Sequence, residues 1–104
     1  MNTAQLLSSA KAALQDAFQS RLRGVVLYGS EARGQSAADS DVDLIVLLEG
    51  PVDDARDSWA CIDALYDLVL ESGRPIHAEP IDSEVYQEAA FPLFQRAARE
   101  GILL

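Results

Sequence analysis

Residues 42–48 read VDLIVLL, an aliphatic run broken by a single aspartate. A strand with one wet face alternates apolar and polar residues, so a run without alternation belongs to a strand covered on both sides. That requirement selects a sheet with helices over its faces and sets aside a helical bundle or a one-sided antiparallel sheet. It also isolates Asp43, and Asp41 two residues earlier. Carboxylates at the mouth of such a strand are expensive to bury without a positive partner.

The flanking sequence supplies the covering layers. Leu6, Ala10, Ala13, Leu14, Ala17 and Phe18 share one face of a helix predicted over residues 3–22, with Thr3 as its N-cap. Gly24 ends that pattern, residues 25–28 (VVLY) form a short buried strand, and a turn or short helix follows Gly29. After the central strand, GPVDD puts acids into the first turn of a helix that runs to Ser72 and is closed by Gly73. On it Trp59, Ile62, Leu65, Tyr66 and Val69 recur at helical spacing. RPIHAEPID, residues 74–82, reads as a third strand whose prolines suit a sheet edge. Ser83 caps a helix carrying Val85, Tyr86 and Ala89, and Pro92 starts another that carries Leu93, Phe94 and Ala97 to Gly101.

The expectation is one α/β domain over residues 1–104: a small mixed sheet of three main strands, with room for a short fourth, flanked by helices. The first two strands are too close in sequence for a parallel crossover, so they pair antiparallel, which brings Gly29 and Ser30 beside Asp41 and Asp43. The helix between the second and third strands allows a right-handed parallel pair.

Composition narrows the function. Seventeen acidic against eight basic side chains give a formal net charge of −9, which disfavours bulk nucleic-acid binding. The lone Cys61 cannot form an internal disulfide and reads as a small core residue. The start lacks a basic segment followed by a long apolar one, and no run is long enough to span a bilayer, so the expected compartment is the cytoplasm. Asp53, Asp54, Asp57 and Glu71 read as a solvated helix face.

Asp41 and Asp43, two apart on a strand, project to the same side. Their mutual repulsion is relieved by a hard divalent ion, Mg²⁺ or Mn²⁺, and a pair of ions about 3.5–4 Å apart can clamp an in-line phosphoryl displacement. Gly29 lets backbone approach a phosphate, Ser30 offers a hydroxyl, and Arg33 offers a charge-assisted fork. For Arg33 the competing reading is a surface cation paired with Glu31 or another acidic neighbour.

Gly29-Ser30, ten intervening residues, then Asp41-Val42-Asp43 resembles the signature of the DNA polymerase β-like nucleotidyltransferase superfamily. Four fixed identities at fixed spacing arise by chance in roughly one chain of this length in a thousand. The fuller GSEARG and SDVDL resemble the minimal nucleotidyltransferases, MNT or MntA-type proteins often paired with a HEPN-domain protein, and the ending EGILL resembles their usual close. The resemblance implies the nucleotidyltransferase fold and transfer of a nucleoside monophosphate, AMP from ATP or its equivalent from another NTP, to an acceptor hydroxyl. It implies that Gly29, Ser30 and Arg33 hold the triphosphate and that Asp41 and Asp43 bind two Mg²⁺ ions. Relatives add a third carboxylate as an Asp on the third strand. Here that strand reads IHAEP, so Glu79 takes the role as metal ligand and catalytic residue, with His77 two residues earlier as a neighbour able to ligate or accept a proton. The competing reading of His77 is a half-buried strand residue.

An antitoxin whose acceptor is a HEPN-type protein is the leading expectation, because larger relatives add a helical domain for the acceptor pocket. The alternatives are a nucleotide-binding module that neutralises its partner without turnover, and an aminoglycoside-like small-molecule adenylyltransferase. The aromatic residues Trp59, Tyr66, Tyr86, Phe91 and Phe94 are expected in the core or on a partner surface, with oligomer formation left open.

Overall fold

The computed structural model describes residues 1–34, 40–88 and 91–104. The elements are α1 (Thr3–Phe18), a 3-10 turn (Gln19–Arg21), β1 (Leu22–Tyr28), α2 (Gly29–Ala32), β2 (Val42–Leu48), α3 (Asp54–Ser72), β3 (Ile76–Asp82), α4 (Ser83–Gln87), α5 (Pro92–Glu100) and β4 (Ile102–Leu103). Ala89, expected on the helix that begins at Ser83, lies outside the described residues.

One mixed sheet has the order β3-β2-β1-β4. β2 is central, which is why its sequence is apolar almost throughout. Val42, Leu44, Val46 and Leu48 pack with α1 and α3 through Leu6, Leu14, Cys61 and Leu65. Ile45 and Leu47 face the opposite side with Val26, Ala97 and Tyr86. β1 and β2 pair antiparallel from Leu22↔Leu48 to Tyr28↔Asp43, and β2 and β3 pair parallel from Val42↔Ile76 to Leu48↔Asp82. The short fourth strand joins the free side of β1, with Val26↔Leu103. β3 is an edge strand and tolerates Pro80.

Several local expectations shift. Asn2, not Thr3, caps α1: its side chain accepts from the Gln5 amide while the Gln5 side chain returns to the Asn2 amide. α1 ends at Phe18, and Gly24 does not precede β1 but lies inside it, at an irregularity of register with β2. Asp82, whose carboxylate accepts from the Glu84 amide, caps α4 in place of Ser83. Most consequential is the rotation of α3. Its buried residues are Asp57, Cys61, Leu65 and Leu68, whereas Trp59, Ile62 and Tyr66 are exposed. Leu65 of the predicted stripe and the core residue Cys61 are buried as expected, whereas the sheet leaves Trp59, Ile62 and Tyr66 outside.

That rotation buries Asp57, which is only 2% exposed rather than solvated. Arg21 donates to both its oxygens at 3.0 and 3.1 Å, and the Asp53 amide adds a third bond at 3.0 Å. The Arg21 hydrogen bonds hold the Asp57 carboxyl below its ordinary range, against the opposing effect of burial. A depressed carboxylate pKa adds stability that is present above the unfolded-state value and disappears as pH falls through the folded one. Arg21→Met is therefore expected to lower unfolding free energy by about 2 kcal/mol at neutral pH, discounted for the partly exposed guanidinium. The difference from wild type should shrink below about pH 4, as urea titrations across pH would record.

Candidate active site

β1 ends at Tyr28, and the chain then turns at Gly29, whose φ is 74°. Because Tyr28 pairs with Asp43, the Gly29-Ser30 turn and the aspartate strand meet at one end of the sheet. A Cβ added to Gly29 would lie 2.6 Å from Asp43 Oδ2. Glycine is needed there twice: the left-handed backbone disfavours a side chain, and the carboxylate occupies the space one would fill.

Alternation along β2 directs Asp43 to the Ile45 and Leu47 face, away from α1 and α3. The parallel register sets His77 beside Asp43 and Glu79 beside Ile45. His77 Nε2 lies 3.7 Å from Asp41 Oδ2. Tyr28, Asp43, His77 and Glu79 line one shallow depression that wraps the edge of β3 to reach Ser58, Ala78 and Pro80. On the other side of Gly29 a second cleft is walled by Tyr28, Arg33, Leu93, Arg96 and Ala97.

The electrostatics suit a cation. Burial pushes the Asp43 carboxyl above its ordinary value; His77 pulls it down, Asp41 pushes it up again, and Arg33 pulls it down. Burial also raises the Tyr28 phenol, with Asp43 and Glu79 adding to the effect. Among the described residues no group of three acidic, histidine or cysteine side chains could by itself hold a metal ion. Asp43, with Asp41 near enough to raise its pKa, nevertheless fits Mg²⁺, which binds through one or two carboxylates and completes its octahedron with water and substrate phosphate oxygens.

Two basic residues take positions that the sequence left open. Arg33 Nη1 lies 3.9 Å from the acidic Glu100 Oε2, and Arg74 pairs with Glu31 at 3.0 Å. Arg74, only 7% exposed, also donates through Nε to the Ser40 carbonyl at 3.0 Å and through Nη1 to Thr3 Oγ1 at 3.4 Å. It thus ties α2, after Gly29, to the residue just before Asp41. Its signal in the sequence was faint, a base wedged between the capping Gly73 and Pro75. Arg96 was likewise hidden on a helix with no motif of its own.

A family model described as nucleotidyltransferase domain matches residues 7–97. No curated protein matches the chain in sequence. Among solved structures, a toxin-antitoxin with AMP-PNP is 19% identical with a TM-score of 0.64, covering 90% of this chain and 68% of that one. A mutant of the toxin-antitoxin MntA-HpeT is 18% identical with a TM-score of 0.61, covering 100% and 72%. The spectinomycin adenyltransferase AAD(9) from Enterococcus faecialis, with ATP and spectinomycin, is 21% identical with a TM-score of 0.59, covering 86% of this chain but 36% of that one. No described helix is long and apolar enough to cross a membrane.

Proposed function

Because the chain belongs to the nucleotidyltransferase domain family, we propose that it is a single minimal nucleotidyltransferase domain over residues 1–104 that moves AMP from ATP to a hydroxyl of a partner protein in the cytoplasm. The partner is of HEPN type and the chain its antitoxin, in keeping with the toxin-antitoxin context of two structural neighbours. The observation that supports the reading is the close approach of the Gly29 backbone to the Asp43 carboxylate, where an added Cβ would lie 2.6 Å from Oδ2.

The chemistry follows from that juxtaposition. The backbone amides of the turn at Gly29 and the Ser30 hydroxyl hold the β and γ phosphates, and Arg33 neutralises them by exchanging Glu100 for phosphate. Asp41 and Asp43 would hold two Mg²⁺ ions, which supply Lewis-acid stabilisation of charge developing on the reacting phosphate. Glu79 is the third carboxylate. It takes the proton of the acceptor hydroxyl as the oxygen bonds to the α-phosphorus and the bond to pyrophosphate breaks, with His77 beside it to orient that hydroxyl.

Incubation with ATP labelled at the α-phosphate, Mg²⁺ and the protein encoded by the neighbouring gene tests this. Label should pass to that protein and not do so with Asp41→Ala plus Asp43→Ala. A stable complex with no label transferred by wild type would instead support a module that neutralises by binding alone.

Two glycines separate backbone strain from site chemistry. Gly29 and Gly34 both have positive φ, 74° and 69°, but an added Cβ at Gly34 meets nothing within 4 Å. Alanine at either position is expected to lower stability by about 1 kcal/mol. Only Gly29→Ala should also lose ATP affinity, by about tenfold or more, because it displaces the Asp43 carboxylate. Calorimetric titration with Mg²⁺ and ATP measures the second effect.

A further inference from the structure

α3 is amphipathic in the wrong sense on its outer side. Trp59 (65% exposed), Ile62 (52%), Tyr66 (58%) and Leu70 (65%) follow one another at helical spacing. At 100° per residue they fill an arc of about 80° on the side of the helix away from Asp57, Cys61, Leu65 and Leu68. The sheet already has its face of α3, so this ridge does nothing for the fold. Contiguous exposed aromatic and aliphatic residues mark interaction sites, and Trp and Tyr dominate binding hot spots.

The surroundings select the occupant. Asp63, Asp67 and Glu71, all exposed, line one flank, and Arg56 is the one base on α3. An antiparallel two-fold pairing with a second copy would set that acidic flank against itself. Chains of formal net charge −9 repel in any other arrangement as well. A basic apolar helix meets both features. The ridge is also continuous with the candidate site, because Ser58, one residue before Trp59, lines the depression shared by Asp43, His77 and Glu79. The intervening strand, β3, is the open edge of the sheet.

We infer that the Trp59, Ile62, Tyr66 and Leu70 ridge is the docking face for a helix of a different protein, apolar along one side and lysine- or arginine-rich beside it. On the function proposed above, on which this last step rests, that protein carries the acceptor hydroxyl to the depression around the β3 edge.

The probe is a synthetic amphipathic peptide with leucines along one face and lysines flanking them, together with a twin in which glutamates replace the lysines. Titrated into the full chain, the lysine peptide should bind at least about tenfold tighter than its twin and weaken with salt. Trp59→Ser plus Tyr66→Ser should weaken it by about 30-fold, with the melting temperature and the affinity for Mg²⁺ and ATP unchanged. Equal binding of both peptides, no binding of the lysine peptide, or undiminished binding by the double variant overturns the inference. So does sedimentation of wild type as a dimer that the same substitutions dissociate, which would give the ridge to a second copy. Peptide binding needs no nucleotide, so a protein that binds the lysine peptide but not Mg²⁺ and ATP sinks the proposed function and leaves the docking face standing.

Discussion

Asp43→Asn should reduce nucleotide transfer by about a thousandfold or more while making the protein more stable in the absence of nucleotide. The first half follows from position. Asp43 sits where the turn at Gly29 touches β2, so its carboxylate is shared by whatever the turn and the strand hold together. Asparagine keeps the shape and removes the charge that a divalent ion requires. The second half follows from the raised pKa, whose largest cause is burial. When a carboxylate's folded-state pKa exceeds its unfolded value, the folded state binds the proton more tightly and stability declines as pH rises through that window. The asparagine variant should therefore match wild type near pH 3 and melt higher at pH 7. Mg²⁺ with ATP should reverse the order, raising the melting temperature of wild type and not of the variant, because a ligand stabilises only the species that binds it. Thermal melts at both pH values, with and without the nucleotide, read all of these together. An asparagine variant that melts lower than wild type at pH 7 without ligand, or gains as much from Mg²⁺ and ATP, contradicts the assignment.

How far apart in the chain the contacting residues lie explains where the sequence could be read and where it could not. The signals of β2 are local: seven residues without alternation demand a central strand, and the short connection from β1 demands an antiparallel partner. The meeting of Gly29 with Asp43 followed from those two facts alone. The face that α3 turns inward is not local. Two stripes run along that helix, one of Trp59, Ile62, Tyr66 and Leu70 and one of Cys61, Leu65 and Leu68, and only side-chain size favours the first. The choice was made by partners distant in sequence: Arg21 waits beneath Asp57, and a tryptophan in place of Cys61 would need far more room against β2. The same limit hid Arg74. Its three side-chain contacts lie 71, 43 and 34 residues away along the chain, at Thr3, Glu31 and Ser40, so no window of sequence contains them.

Arg74→Ala is expected to lower stability by about 3–4 kcal/mol, from a total of about 5–15 kcal/mol for a domain of this kind. Its guanidinium and the Glu31 carboxylate are both almost buried, at 8% and 10% side-chain exposure, so alanine takes a charge-assisted bond from a carboxylate shielded from water. Replacing both partners behaves differently, because a buried ion pair exchanged for apolar side chains of similar volume is often close to neutral. Arg74→Met plus Glu31→Met should thus recover stability to within about 1 kcal/mol of wild type. The ATP affinity should not recover with it. Arg74 also holds the Ser40 carbonyl, the last residue before Asp41, and methionine cannot donate there. The double variant is expected to bind Mg²⁺ and ATP about tenfold more weakly than wild type at equal stability, which separates positioning of the aspartate strand from support of the fold. Full recovery of both quantities would leave Arg74 as a structural residue alone. A loss below about 1 kcal/mol for Arg74→Ala would mean that Glu31 finds water once its partner is gone, and that the tie between α2 and Ser40 is not what holds the two halves of the site together.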